Sequence, residues 1–283
     1  MPARTERGFT LMEAAIAIAV IAILAGAAVP FALKGVNQAR EQRTRQDMRV
    51  MWESLFGAQD RRIGNMRSDW GFTPTATLAN LGKMTVLTAV PAPNPPAYGP
   101  NGALFSWGWN GPYWLGSVQV NGAQRIPVDG WGKAIQLRLV VGGFQLISGG
   151  PNGTINTAAG NIGPTQDDLV YPANPMPLTK VSAQLSVTIR NNRATAFNGT
   201  IAVRWRTNGG LSPLSPIALA LAANPGLPGV PGGQQVLPTG TFGLIPNGAV
   251  QVQIFETGFP VALLSDVVDL QSGEIRNLSY VIN

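Results

Sequence analysis

The chain contains no cysteine and no histidine. These two absences remove disulfides, thiolate nucleophiles, Cys/His zinc sites and every triad that relies on imidazole. With no thiol present, oxidising and reducing compartments are equally open to it. Charge is also scarce: 12% of residues are charged, about half the usual share of roughly 25%. The 20 basic and 14 acidic residues leave a net charge of +6. No block of like charges occurs, so the composition admits nucleic acid as a partner without pointing to it. Neither G-x-S-x-G, nor a P-loop, nor G-x-G-x-x-G after a strand is present, and no enzyme is expected. What is abundant is apolar and turn-forming. Hydrophobic residues reach 45%, enough to bury a core, and 34 Gly and 23 Pro favour strands and turns over long helices.

One long apolar run exists, FTLMEAAIAIAVIAILAGAAV at residues 9–29. As a helix it spans about 31 Å, close to the hydrocarbon thickness of a bilayer. Glu13 interrupts it, and an unpaired carboxylate in lipid costs at least about 2.5–3.5 kcal/mol, so the residue needs a partner. A secretory signal peptide has a shorter apolar core, although Ala25-Gly26-Ala27 offers a cleavage site. A plain membrane anchor fits the length and leaves Glu13 unexplained.

The string Arg7-Gly8-Phe9-Thr10-Leu11-Met12-Glu13 resembles the leader junction of type IV prepilins. The resemblance implies cleavage after Gly8 by prepilin peptidase, which leaves residues 1–8 as leader, and methylation of the new N-terminus at Phe9. It implies that Glu13 neutralises the N-terminal amine of a neighbouring subunit during assembly, and that Pro30 is the helix-kinking proline common in pilins. The charge pattern opposes this topology. Arg4 and Arg7 precede the span, whereas Lys34, Arg40, Arg43, Arg45 and Arg49 follow it, and the positive-inside rule would keep the latter cytoplasmic. The specificity of the junction overrules the charge count.

Residues 31–63 lack proline and carry Met48, Met51, Trp52 and Leu55 at helical spacing, which predicts a long helix over 9–64 with one apolar face against the protein's own globular part. The chain then becomes loop-rich, with five prolines between Pro91 and Pro100. Alternation at Ile135–Val141 and Phe144–Ile147 predicts two strands, with Gly142-Gly143 as the hairpin turn.

A second resemblance covers roughly residues 111–168. Gly111-Pro112-Tyr113, Asp129-Gly130-Trp131-Gly132, the hairpin, Ser148-Gly149-Gly150-Pro151-Asn152-Gly153 and Asp167-Asp168 follow one another as similar elements do in the major pseudopilin of type II secretion. There the last two elements form a calcium loop. By that likeness Asn152, Asp167 and Asp168 would bind Ca2+, with backbone oxygens completing the six to eight ligands a hard cation takes. Three departures stand out: Gly130 replaces a proline, Asn152 replaces an aspartate, and the 14 residues between Asn152 and Asp167 exceed the family's usual short spacer. Asp167 and Asp168, being adjacent, point apart in extended chain and cannot form a facing acid/base pair.

Pro172, Pro175 and Pro177 predict a linker. Beyond it, alternation at Leu185–Arg190, Ile201–Arg206, Val250–Ile254 and Leu278–Ile282 predicts a β-sandwich over 173–283, and the short apolar run Ile217–Ala223 alone competes as helix. Arg190, Arg193, Arg204 and Arg206 read as the polar face of strands in preference to a basic patch. Gly226–Gly232 is a loop with too few repeats for a triple helix, and the Asn-x-Ser/Thr triplets at Asn152, Asn198 and Asn277 carry no weight alone.

The expected fold is α+β: a transmembrane N-terminal helix, a pilin-type head with a small antiparallel sheet over 65–172, and an appended all-β sandwich. The expected function is a structural subunit of a type IV pilus-like or type II secretion pseudopilus filament. Its partners would be further copies of itself, prepilin peptidase and an inner-membrane assembly platform. It would reside in the inner membrane before assembly, then in a periplasmic or cell-surface filament. The alternative is a minor pilin that binds a surface or DNA through residues 173–283, and a membrane-anchored β-domain without a filament role is the third reading.

Overall fold

The computed structural model describes residues 10–57, 65–71, 97, 99–100, 103–106, 108–158, 160–207, 210–212, 216–224, 226 and 232–283. Helix α1 runs from Leu11 to Phe56, and α2 is the short helix Met66–Trp70. The strands are β1 (Val118–Asn121), β2 (Gln124–Pro127), β3 (Gln136–Val140), β4 (Gly143–Ser148), β5 (Leu169–Met176), β6 (Ser182–Asn191), β7 (Phe197–Arg204), β8 (Arg206–Thr207), β9 (Gly210–Leu211), β10 (Ile217–Leu221), β11 (Gln234–Leu237), β12 (Ile245–Pro246), β13 (Gly248–Glu256), β14 (Leu264–Leu270) and β15 (Ile275–Ile282). A long N-terminal helix followed by several mainly antiparallel sheets is the α+β architecture the patterning predicts.

α1 begins at Thr10, whose side chain caps the Glu13 amide, and continues through Pro30. Proline there has no N–H to offer the carbonyl four residues back, which removes one rung of the helix ladder. The helix has two dissimilar halves. From Leu11 to Val36 its large apolar side chains are exposed on every face. Further along, the stripe Met48, Met51, Trp52 and Leu55 is buried, as its spacing predicts, against Leu137, Phe144, Leu146 and Leu169. Trp52 and Tyr171 meet edge to face at 6.3 Å. The helix ends at Gly57, and residues 58–64 lie outside the described residues.

β3, β4 and β5 form an antiparallel sheet under this helix. The hairpin turn sits one residue earlier than expected: Val140 pairs with Gly143, so Val141 and Gly142 make the turn and Gly143 opens β4. The predicted linker is corrected more substantially. Pro172 and Pro175 lie inside β5, which pairs with β4. Prolines cannot donate to a ladder, and the register breaks between Phe144 and Leu146 to accommodate them. The buried Gln145 amide fills the gap, donating to the Pro172 carbonyl at 3.1 Å and the Ala173 carbonyl at 3.2 Å.

From β6 onward two sheets share a second apolar cluster. One has the order β10-β7-β13-β14. The other is built on β6, which pairs antiparallel with β11 and β12 and parallel with β15. The alternating side chains Leu185, Val187 and Ile189 of β6 and Val250, Val252 and Ile254 of β13 all point into that cluster. The run at Ile217–Ala223 is strand β10, not helix. The run predicted over Ile201–Arg206 is interrupted at Trp205, so that Arg206 begins the separate strand β8. Most of the Pro91–Pro100 and Gly226–Gly232 segments lie outside the described residues.

Candidate functional site

The N-terminal end of α1 carries the first site. Glu13 Oε2 accepts hydrogen bonds from the backbone N–H and the hydroxyl of Thr10, both at 2.9 Å, while Thr10 Oγ1 accepts from the Glu13 N–H at 3.2 Å. This reciprocal capping box satisfies donors that the first helical turn leaves without partners. In the single chain the carboxylate therefore has a local task, holding Thr10, the residue that follows Phe9. The processing pair Gly8 and Phe9 lies outside the described residues. Beyond Glu13 the helix is long and apolar enough to cross a membrane, and the chain itself covers none of that stretch.

Residues 3–29 match the prokaryotic N-terminal methylation motif. The chain has a type IV pilin-like N-terminus. Such a motif implies a structural protein, processed by prepilin peptidase, anchored in a membrane and then built into a filament. No curated protein and no solved structure matches the chain.

In this pilin-like protein the head is fastened to α1 by the Asp129–Gly132 turn. Asp129 is buried; its Oδ1 accepts the N–H groups of Trp131 and Lys133 at 2.9 and 2.8 Å, and its Oδ2 accepts the Ser148 hydroxyl at 2.6 Å. The turn thereby presents Gly130 to the helix. Gly130 N–H donates to Thr44 Oγ1, and a Cβ there would lie 2.6 Å from the Arg40 carbonyl oxygen. A proline in this place could neither donate nor fit, which explains the glycine. Thr44 was not singled out by the sequence; its one signal is a small polar residue one turn before the apolar stripe. Gly111-Pro112-Tyr113 is anchored separately, with the Tyr113 hydroxyl donating to Asp69 Oδ2 at 2.9 Å.

Asn152, Asp167 and Asp168, the expected calcium ligands, are brought to one loop, but they bind each other and their neighbours. The Asn152 backbone and side-chain N–H groups donate to the two oxygens of Asp167, at 3.0 and 2.6 Å. The Asn152 carbonyl oxygen accepts the Thr154 N–H at 2.6 Å. Asp168 turns the other way, and its Oδ2 accepts from Asn156 N, Thr157 N and Thr157 Oγ1 at 2.9, 2.6 and 2.6 Å. Its Oδ1 is buried without a hydrogen bond. Arg138 lies within electrostatic reach: burial lowers that guanidinium from its ordinary value and the Asp168 charge raises it in part. Among the described residues no three acidic side chains converge. Three of the four carboxylate oxygens of Asp167 and Asp168 are thus taken up by N–H and O–H donors of the chain itself.

Two buried arginines tie the parts of the molecule together. Arg67 of α2, 1% exposed, donates through Nε to the Val181 carbonyl at 2.7 Å and through a terminal nitrogen to Ser182 Oγ. Burial pushes its guanidinium down to about 9. Arg206 donates to the Ala249 carbonyl and lies 5.1 Å over the Phe105 ring. Gly71 reaches the same place: with φ at +75°, a Cβ there would sit 2.3 Å from the Arg206 carbonyl oxygen. The remaining arginines of the strands are dispersed. Arg193 pairs with Glu256 at 2.8 Å, and Arg190 reaches Gln234.

Proposed function

We propose that this protein is a structural subunit of a type IV pilus-like or type II secretion pseudopilus filament, cut between Gly8 and Phe9 and polymerised through α1. The observation that carries the reading is the asymmetry of that helix. The stripe from Met48 to Leu55 is covered by the head, while the large apolar side chains between Leu11 and Val36 are exposed on every face and covered by nothing in the described residues. A surface of that kind is stable in lipid, or among identical helices after extraction into a filament core. Glu13 then exchanges its local capping bond for the methylated amine of the neighbouring subunit, because an unpaired charge in a dry bundle is costly.

The likeness of residues 111–168 to the major pseudopilin head is supported by the Asp129–Ser148 bond and by Gly130 lying against α1, which bring the separate motifs into one docking unit. The calcium of that family is not carried over. Residues 173–283 form the outward-facing part in this reading, with β5 shared between the head sheet and the approach to the sandwich. The subunit passes from inner membrane to a periplasmic or surface filament.

The test is mass spectrometry of membrane and sheared-filament fractions from cells expressing the full chain with a prepilin peptidase. The expected N-terminus is N-methylated Phe9 in both. A retained Met1, or a start near Ala28, overturns the reading.

A further inference from the structure

We propose that the loop between Ser148 and Asp168 closes without a divalent cation, the Asn152 amide holding the place that a metal would otherwise take beside Asp167. A calcium loop exists because converging carboxylates repel one another and need a countercharge. In this loop both Asp167 oxygens and Asp168 Oδ2 meet protein donors instead, and Asp168 Oδ1 alone is left without one. Asp167 meets two N–H donors of a single residue, and the Asn152 amide cannot be reversed, since its oxygen is committed to the Thr154 N–H. Asp168 is held by a different set of donors, on Asn156 and Thr157, so the two carboxylates share no hydrogen-bond partner.

The surroundings discourage a cation further. A Cβ at Gly153 would lie 2.6 Å from the Lys133 side chain, which therefore packs on the loop, and Arg138 is close enough for the Asp168 charge to raise its guanidinium. Both are positive, and both would repel Ca2+. Thr157 completes the closure: its hydroxyl donates to Asp168 and accepts the Thr165 N–H at 2.8 Å, so one side chain clamps both ends of the excursion. The long spacer between Asn152 and Asp167 is thus tied at three points, each by a neutral donor.

The experiment uses the full chain in detergent, in excess EGTA and in millimolar CaCl2, with thermal unfolding and amide hydrogen exchange as readouts. The wild-type midpoint is expected to be the same in both, with the Asn152, Thr154 and Thr157 amides protected in EGTA. Asn152→Asp removes the donor and places a second carboxylate against Asp167. Its midpoint should fall below wild type in EGTA, and its loop amides should lose protection. A wild-type midpoint that rises with calcium, or loop amides that are protected only in calcium, overturns the proposal. So does an Asn152→Asp protein indistinguishable from wild type in EGTA.

Discussion

Gly130 and Thr44 are 86 residues apart and joined by one hydrogen bond of 2.9 Å, from the glycine N–H to the threonine hydroxyl, which itself donates to the Arg40 carbonyl at 2.8 Å. This contact sets the height at which the head grips the helix, and so how much of α1 stays bare. Gly130→Ala places a methyl against backbone that cannot move, and a cost of about 1–3 kcal/mol is expected. Gly130→Pro adds the loss of the donor and should cost more. Chemical unfolding in detergent, followed by tryptophan fluorescence, measures both.

Glu13 has two tasks that substitution can separate. Glutamine keeps the capping box, since its side-chain oxygen also accepts from the Thr10 N–H, but it carries no charge. Alanine removes both, with a capping loss of about 1 kcal/mol. Both variants should fold and be cleaved, and neither should form filaments if the charge is what assembly needs. Electron microscopy of sheared fractions decides; filaments from Glu13→Gln alone would reduce the residue to a cap.

Arg67 joins α2 to the start of β6 from a fully buried position. Arg67→Ala strands the Val181 carbonyl and opens a cavity, and a loss of about 3–5 kcal/mol is expected, in line with breaking other buried charged contacts. Arg67→Met keeps the volume and should recover part of the loss. The measurement is the midpoint of urea unfolding.

Tyr280 of β15 donates to Asp266 of β14 at 2.9 Å and so bridges the two sheets. Burial first, and then the Asp266 carboxylate, push the phenol above its ordinary value of 10.0. The folded state therefore holds a proton that the unfolded chain releases near that value. The stabilisation is full below pH 10 and falls as the pH rises beyond it. Wild type should lose stability progressively as the pH rises above about 10, and Tyr280→Phe should lose less. Parallel slopes for the two proteins would remove Tyr280 from the alkaline transition.

The Arg7–Glu13 junction and the apolar run were legible in the sequence because each is contiguous, and the Met48–Leu55 stripe and the strands β6, β13 and β15 because each is a local periodicity. A stretch whose side chains repeat every 3.6 or every 2 residues has one way to bury them, whatever its partner. The parallel pairing of β15 with β6, the burial of Arg67 and Arg206 and the strand character of the proline-rich 169–176 segment came only from tertiary structure. Each depends on a group far along the chain that supplies a missing donor or removes water: Gln145 for Pro172, Val181 for Arg67, Phe105 for Arg206. The loop at Asn152 shows the same division. Its residues could be named from their order, but an amide can serve as ligand or as donor, and only the positions of Thr154 and Asp167 around it settle which hydrogen-bonding face it presents.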